Sequence, residues 1–252
     1  MTDKKIGFIF LFLLVVVAVL PRLNDAWTEK KDLARAQAAE KKGFFALAAD
    51  LLEPHRAHLA RSVEGCRALI LDNSKAGDWV RLESVSEHCL DNQIELEEAY
   101  EGLAASLEQK GNLADALKVL EGGQTKFPTA SMKRNLIRLA IKAGDSNRPI
   151  ALYFDLISMA PKDSQLLIEA IQYFARIEKW GEAKMVAQNL EGVESKDPAV
   201  FLLLARVMRQ VKDEKAAGDL RTTAERLMAQ LSAEQRDKIR QAYRDVYMSR
   251  GK

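Results

Sequence analysis

Three histidines and two cysteines are the residues of this chain best suited to chemistry. His55 and His58 stand three apart just after Pro54, with Glu53 beside them, and His88 precedes Cys89. A zinc site needs three or four convergent ligands. His55 and His58 supply two and nothing in the pattern names a third, so they read as solvent-exposed histidines near a helix end. Cys66 and Cys89 form no CxxC, and two cysteines alone do not make a Cys-based zinc site. An oxidising compartment would let them pair; two buried free thiols is the competing reading. No GxSxG, HExxH, P-loop or GxGxxG occurs. Gly122-Gly123 cradles nothing, and the acidic residues fall on the polar faces of helical patterns. The expectation is a protein with no catalytic residue, no cofactor and no metal.

The elements that carry these residues are helical. Nearly half of the 252 residues are apolar and 29% are charged, which is enough to build a core and unlike a disordered composition. Ala, Leu, Glu, Lys, Arg and Gln dominate, six prolines and thirteen glycines are few for an all-β protein, and no long period-2 alternation occurs. A net charge of +2 gives no global field that points to nucleic acid.

Ile6–Leu20 reads IGFIFLFLLVVVAVL, without a charged or polar side chain. As a helix it spans about 22 Å, short of the ~30 Å hydrocarbon core. Lys4 and Lys5 before it and Arg22 after it are placed to snorkel. A cleaved leader would want small residues after the run, and Asn24-Asp25-Ala26 fits poorly; a buried core helix is a third reading. The expected organisation is a short head at 1–5, a transmembrane signal-anchor at 6–22, a helical array at 27–231, and a last helix and tail at 232–252. The bulk of the chain would then lie outside the cytoplasm, in the periplasm of a Gram-negative cell, held at the inner membrane.

The array shows itself as a period. Gly43, Gly77 and Gly111 lie 34 residues apart, Gly144 comes one residue short, and Glu178 and Lys212 resume the step. Ala48, Ala116, Ala183 and Ala217 follow their markers by five. The third copy carries Tyr100, Leu103, Ala104, Leu107, Gly111, Ala116, Leu120 and Pro128; the fifth Leu167, Ala170, Phe174, Trp180 and Ala183; the sixth Phe201, Leu204, Ala205, Met208 and Ala217. The first two copies are degenerate and the fourth carries a small insertion around Asn147–Pro149. The period and these residues resemble the tetratricopeptide repeat (TPR) family, from about Lys30 to Leu227. The resemblance implies an all-α fold: a right-handed α-solenoid of about six helical hairpins. Ser232 and Gln235 form a capping box that opens a last helix, whose stripe of Ile239, Ala242, Tyr243, Val246 and Tyr247 suits a terminal cap or a partner-docking helix. On adjacent antiparallel helices Cys66 and Cys89 would be within bridging reach.

In proteins that resemble this one, the first helix of each hairpin lines a concave face. The helical period then places Glu98, Glu101 and Glu108 there in the third copy, and Arg134, Arg138, Lys142, Arg176, Arg206 and Arg209 in the later ones. This predicts a groove acidic in its first half and basic in its second, able to hold an acidic or C-terminal peptide through arginine forks; ordinary solvated arginines is the plainer reading. The leading functional expectation is a membrane-anchored scaffold or co-chaperone for a cell-envelope machine, such as a secretion, pilus, exopolysaccharide or respiratory/cytochrome system. Self-assembly into a structural oligomer, and a secreted binder with a cleaved leader, are the alternatives. Its partners would be proteins and the lipid bilayer, not nucleic acid.

Overall fold

The computed structural model describes residues 27–190 and 195–247. The expected head, the apolar segment 6–22 and the end of the C-terminal tail lie outside the described residues. Among the described residues every regular element is helical, and no helix is long and apolar enough to cross a membrane. The chain divides into two compact units between Ala143 and Gly144.

The first unit opens with α1 over residues 27–40. Its partner is broken: α2 (Phe45–Leu52), a 3-10 turn (Glu53–His55) and the single turn α3 (Arg56–Leu59). Pro54 interrupts it, because proline lacks the N–H that would continue the ladder. Then come α4 (Val63–Ala76) with α5 (Trp79–Asp91), α6 (Glu97–Gln109) with α7 (Leu113–Lys126), and α8 (Ala130–Lys142). The core runs through Leu52, Cys66, Leu69, Leu82, Val85, Cys89 and Ala99, all essentially without solvent contact. Cys66 of α4 and Cys89 of α5 are joined by a disulfide, their Cα atoms 6.1 Å apart. Further on, Gly123 of α7 packs against Tyr100 and Met132 so closely that a Cβ would stand 2.8 Å from Tyr100 Cβ.

The second unit holds α9 (Arg148–Met159), α10 (Ser164–Arg176), α11 (Trp180–Leu190), α12 (Pro198–Gln210), α13 (Glu214–Ala229) and α14 (Ala233–Tyr247). Its centre is aromatic. Phe174 stacks on Phe154 at 5.5 Å and meets Tyr153 edge-on at 5.8 Å, and the Tyr173 hydroxyl donates to the Ser146 carbonyl. The capping box that opens α14 is formed in both directions: Ser232 Oγ accepts from the Gln235 N–H, and Gln235 Oε1 accepts from the Ser232 N–H.

All six periodic marker residues have a left-handed backbone, shared among the described residues with Gln93. Gly43, Gly77, Gly111 and Gly144 have φ between 72° and 81°, and Glu178 and Lys212 have φ of 61° and 64°. A residue in this conformation lets the next N–H turn back onto the helix it ends. Asn112 N–H reaches the Leu107 carbonyl at 2.9 Å, and Phe44, Asp78, Lys179 and Asp213 do the same. The following helix is capped at once: Asp78, Asn112 and Asp213 each accept the backbone N–H three residues on. Turn and cap together leave two residues or so between helices, which makes the neighbours antiparallel.

Candidate functional site

In the first unit α6 lies against both α4 and α8. The faces of these three helices enclose a groove of about 420 Å³. Leu71, Gly102, Ala105 and Leu139 make its apolar floor, with Arg67, Glu98, Glu101, Glu108, Asn135 and Arg138 around it. Leu71 is 44% exposed. Gly102 lets α6 pack closely on α5: a Cβ there would stand 2.7 Å from Ser86 Oγ.

The expected charge segregation is not what the first unit contains. Acids and bases are paired across neighbouring helices, at nearly one repeat's spacing. Arg67 of α4 donates to Glu98 of α6 at 3.1 Å. Asn135 and Ser131 of α8 donate to Glu101 at 2.6 and 2.7 Å. Arg138 and Lys142 of α8 both donate to Glu108, at 2.6 and 2.9 Å. Glu108 is buried, and the Arg138 guanidinium, with the Lys142 ammonium behind it, holds its pKa down at about 2 against the cost of burial. A buried carboxylate needs such partners, so the two cations expected to await an acidic peptide are bound to the chain's own acid. Glu101 accepts from a side-chain amide and a hydroxyl.

Of the nine expected groove residues, Glu98, Glu101, Glu108, Arg138 and Lys142 are thus brought together. Arg134 is exposed on α8. Arg176, Arg206 and Arg209 belong to the second unit, where Arg176 lies over the Tyr173 ring at 5.4 Å and Arg206 over the Trp180 ring at 5.3 Å. Sequence reasoning missed Arg67, Ser131 and the floor. Arg67 precedes Glu98 by 31 residues, a spacing close to the period, and the degeneracy of the second copy hid it.

The histidines have structural partners. His55 Nε2 lies 3.3 Å from Asp32 of α1 and is only 13% exposed, which corrects the expectation of two solvent-facing rings. His58, at the surface, lies 2.9 Å from Glu29. Among the described residues no group of three or more His, Cys, Asp or Glu is placed to hold a metal. One further group has unusual chemistry. Asp72 of α4 is fully buried, no donor reaches either oxygen, and the Glu40 carboxylate of α1 lies beside it. Burial first, then Glu40, pushes its pKa up to about 7. A carboxyl that keeps its proton near neutrality is of the kind used in acid catalysis, but Asp72 has no surface from which to meet a substrate.

No protein-family model matches the chain, and no curated protein matches it in sequence. Its shape is shared with solved structures. YrrB, described as a TPR protein with an unusual peptide-binding site, superposes with a TM-score of 0.54 at 10% identity, over 68% of this chain and 88% of its own. MamA gives 0.55 at 10% identity, over 68% and 96%. PilF of Pseudomonas aeruginosa gives 0.54 at 12% identity, over 86% and 98%. At such identities the likeness speaks of fold.

Proposed function

The chain has the tetratricopeptide-repeat fold, and from that premise we propose that it is a membrane-anchored protein-interaction scaffold that takes a peptide segment of its partner in the α4–α6–α8 groove. The observation that carries the reading is the groove itself: an open apolar floor at Leu71, Gly102 and Ala105, ringed by charges whose positions are fixed by bonds between helices. Fixed rim charges select a partner without the ordering cost of free side chains. The floor suits an apolar side chain, and Glu101 suits a cation or amide donor next to it. This replaces the acidic peptide expected from the arginines. YrrB, of the same fold, is described as having a peptide-binding site, which supports peptide binding as a use of the fold.

The apolar segment Ile6–Leu20 supports an anchor, and the buried Cys66–Cys89 bond suits an oxidising compartment such as the periplasm. A place in the assembly of a cell-envelope complex follows from that setting.

The test is a photo-reactive amino acid at Leu71 in native membranes, with a second at Lys118, on the exposed side of α7, as control. Adducts are expected from position 71 and should be lost when Ala105→Trp fills the floor, while those from 118 stay unchanged. Adducts at 71 that survive Ala105→Trp would show that the groove is not the site.

A further inference from the structure

The acids and bases of α1 are sorted onto opposite sides of the helix. Glu29, Asp32 and Glu40 lie on the side that carries the buried Ala36 and Ala39. Glu29 is met by His58, Asp32 by His55 and, at 3.2 Å, by Arg35 from the edge of the opposite side, and Glu40 lies beside Asp72. The other side, at helical spacing, presents Trp27, Lys30, Lys31, Ala34, Arg35 and Ala38, all exposed. Lys41 and Lys42 continue it in the turn, followed by exposed Phe44 and Leu47. None of the four lysines has an ion-pair partner among the described residues, and the Lys31 ammonium lies 5.5 Å from the Trp27 ring centre. No acid stands on this face. A surface kept polar only for solubility mixes both signs.

We infer that this outer face of α1 lies on an anionic lipid surface. A tryptophan at one end, phenylalanine and leucine at the other, and lysines between them match the layers of a membrane interface, where aromatic rings sit at headgroup depth and lysines meet phosphates. Ala34 and Ala38 let the helix approach a flat surface closely. The inference deepens the anchored reading above and takes its geometry from it. The apolar run ends at Leu20 and α1 begins by residue 27, so the connecting residues reach at most roughly 25 Å. A helix of this length, about 21 Å, starting so near a membrane exit, has its lysines within range of headgroups. The effect is to fix how the first unit is presented at the membrane, and not merely to tether it.

The experiment uses the full chain with vesicles of phosphatidylcholine alone or with added phosphatidylglycerol. Flotation reads binding; acylation of individual lysines, read by mass spectrometry, reports contact. With phosphatidylglycerol, Lys30, Lys31, Lys41 and Lys42 are expected to be protected several-fold relative to Lys118, and high salt should reverse it. The variant Lys31→Glu/Lys41→Glu/Lys42→Glu, checked for native helicity by circular dichroism, should lose the protection; each reversed charge weakens the contact roughly fivefold. Equal labelling with and without phosphatidylglycerol overturns the inference. If the chain floats with neutral vesicles and labelling never changes, the anchor stands and the lipid-facing surface falls. If it floats only with anionic vesicles, with the lysines protected, the surface stands and the anchor falls.

Discussion

At Asp72 two carboxyl oxygens sit in the core with no donor in reach, beside a second carboxylate. The consequence is a pH dependence of unusual sign. The folded-state pKa, raised to about 7, lies above the roughly 3.9 of an unfolded aspartate. Below the unfolded value both states hold the proton and nothing is lost. As pH climbs toward 7 the unfolded chain releases its proton while the folded one keeps it, so stability falls; above 7 the loss is constant. Asp72→Asn keeps the shape and removes the titration. It is expected to raise stability at pH 8 by up to about 4 kcal/mol and to change little at pH 4, read by thermal melts at both values. A variant no more stable at pH 8 than at pH 4, relative to the parent, would mean that Asp72 ionises freely. Glu108 titrates in the opposite sense. Its contribution is present above the ordinary glutamate range and lost as pH falls toward 2. None of this was visible in the sequence. Asp72 looked like any acid on a helix, because the Glu40 that faces it comes from another helix 32 residues away.

The helix ends, by contrast, were legible to the residue. A 34-residue step found in letters alone located all six turns that close the first helix of each pair, including the two where a residue other than glycine stands. The physical signal is strong because a left-handed residue is costly for anything with a Cβ, so glycine recurs where the backbone demands it. Gln93, also left-handed, escaped notice since it ends the second helix of its pair and has no counterpart at the period. The two turns without glycine give a test. Glu178→Gly and Lys212→Gly are each expected to stabilise the second unit by about 0.5–1 kcal/mol, measured by denaturant midpoints. Destabilisation would mean that the native side chains contribute more than the strained backbone costs. The broken helix after α1 was the element least legible: Pro54 reads as an end, and the chain instead adds a 3-10 turn and α3 beyond it.

At the scale of the molecule, the disulfide lies in one unit only. It closes a loop of 23 residues between α4 and α5, and a constraint of that size contributes roughly 3 kcal/mol by restricting the unfolded chain. Cys66→Ala/Cys89→Ala is therefore expected to speed hydrogen exchange in α4, α5 and α6 and to leave α10 to α13 as they were. Equal acceleration throughout would show a single cooperative structure instead of stacked pairs stabilised by nearest neighbours. The polarity of the groove was the part of the site the sequence could not reveal. Each helix, read alone, showed its charges correctly; which charge of one helix meets which of the next depends on the side-by-side register of pairs. That register put two of the expected waiting cations, Arg138 and Lys142, into ion pairs at Glu108 and brought Arg67, not among those expected, to Glu98.

The glycines also set rules for how this chain can diverge over generations. At Gly111 a Cβ would meet nothing within 4 Å, so only the backbone angle resists change, and positions 178 and 212 record that such resistance can be outvoted. At Gly123 and Gly102 the obstacle is matter: Tyr100 and Ser86 occupy the space. A lineage can let its turn glycines wander one at a time, but an interior glycine can change only together with the neighbour it touches. Drift by the first route removes the letters that mark a repeat and keeps its fold, so a repeat can persist in structure at identities as low as 10%.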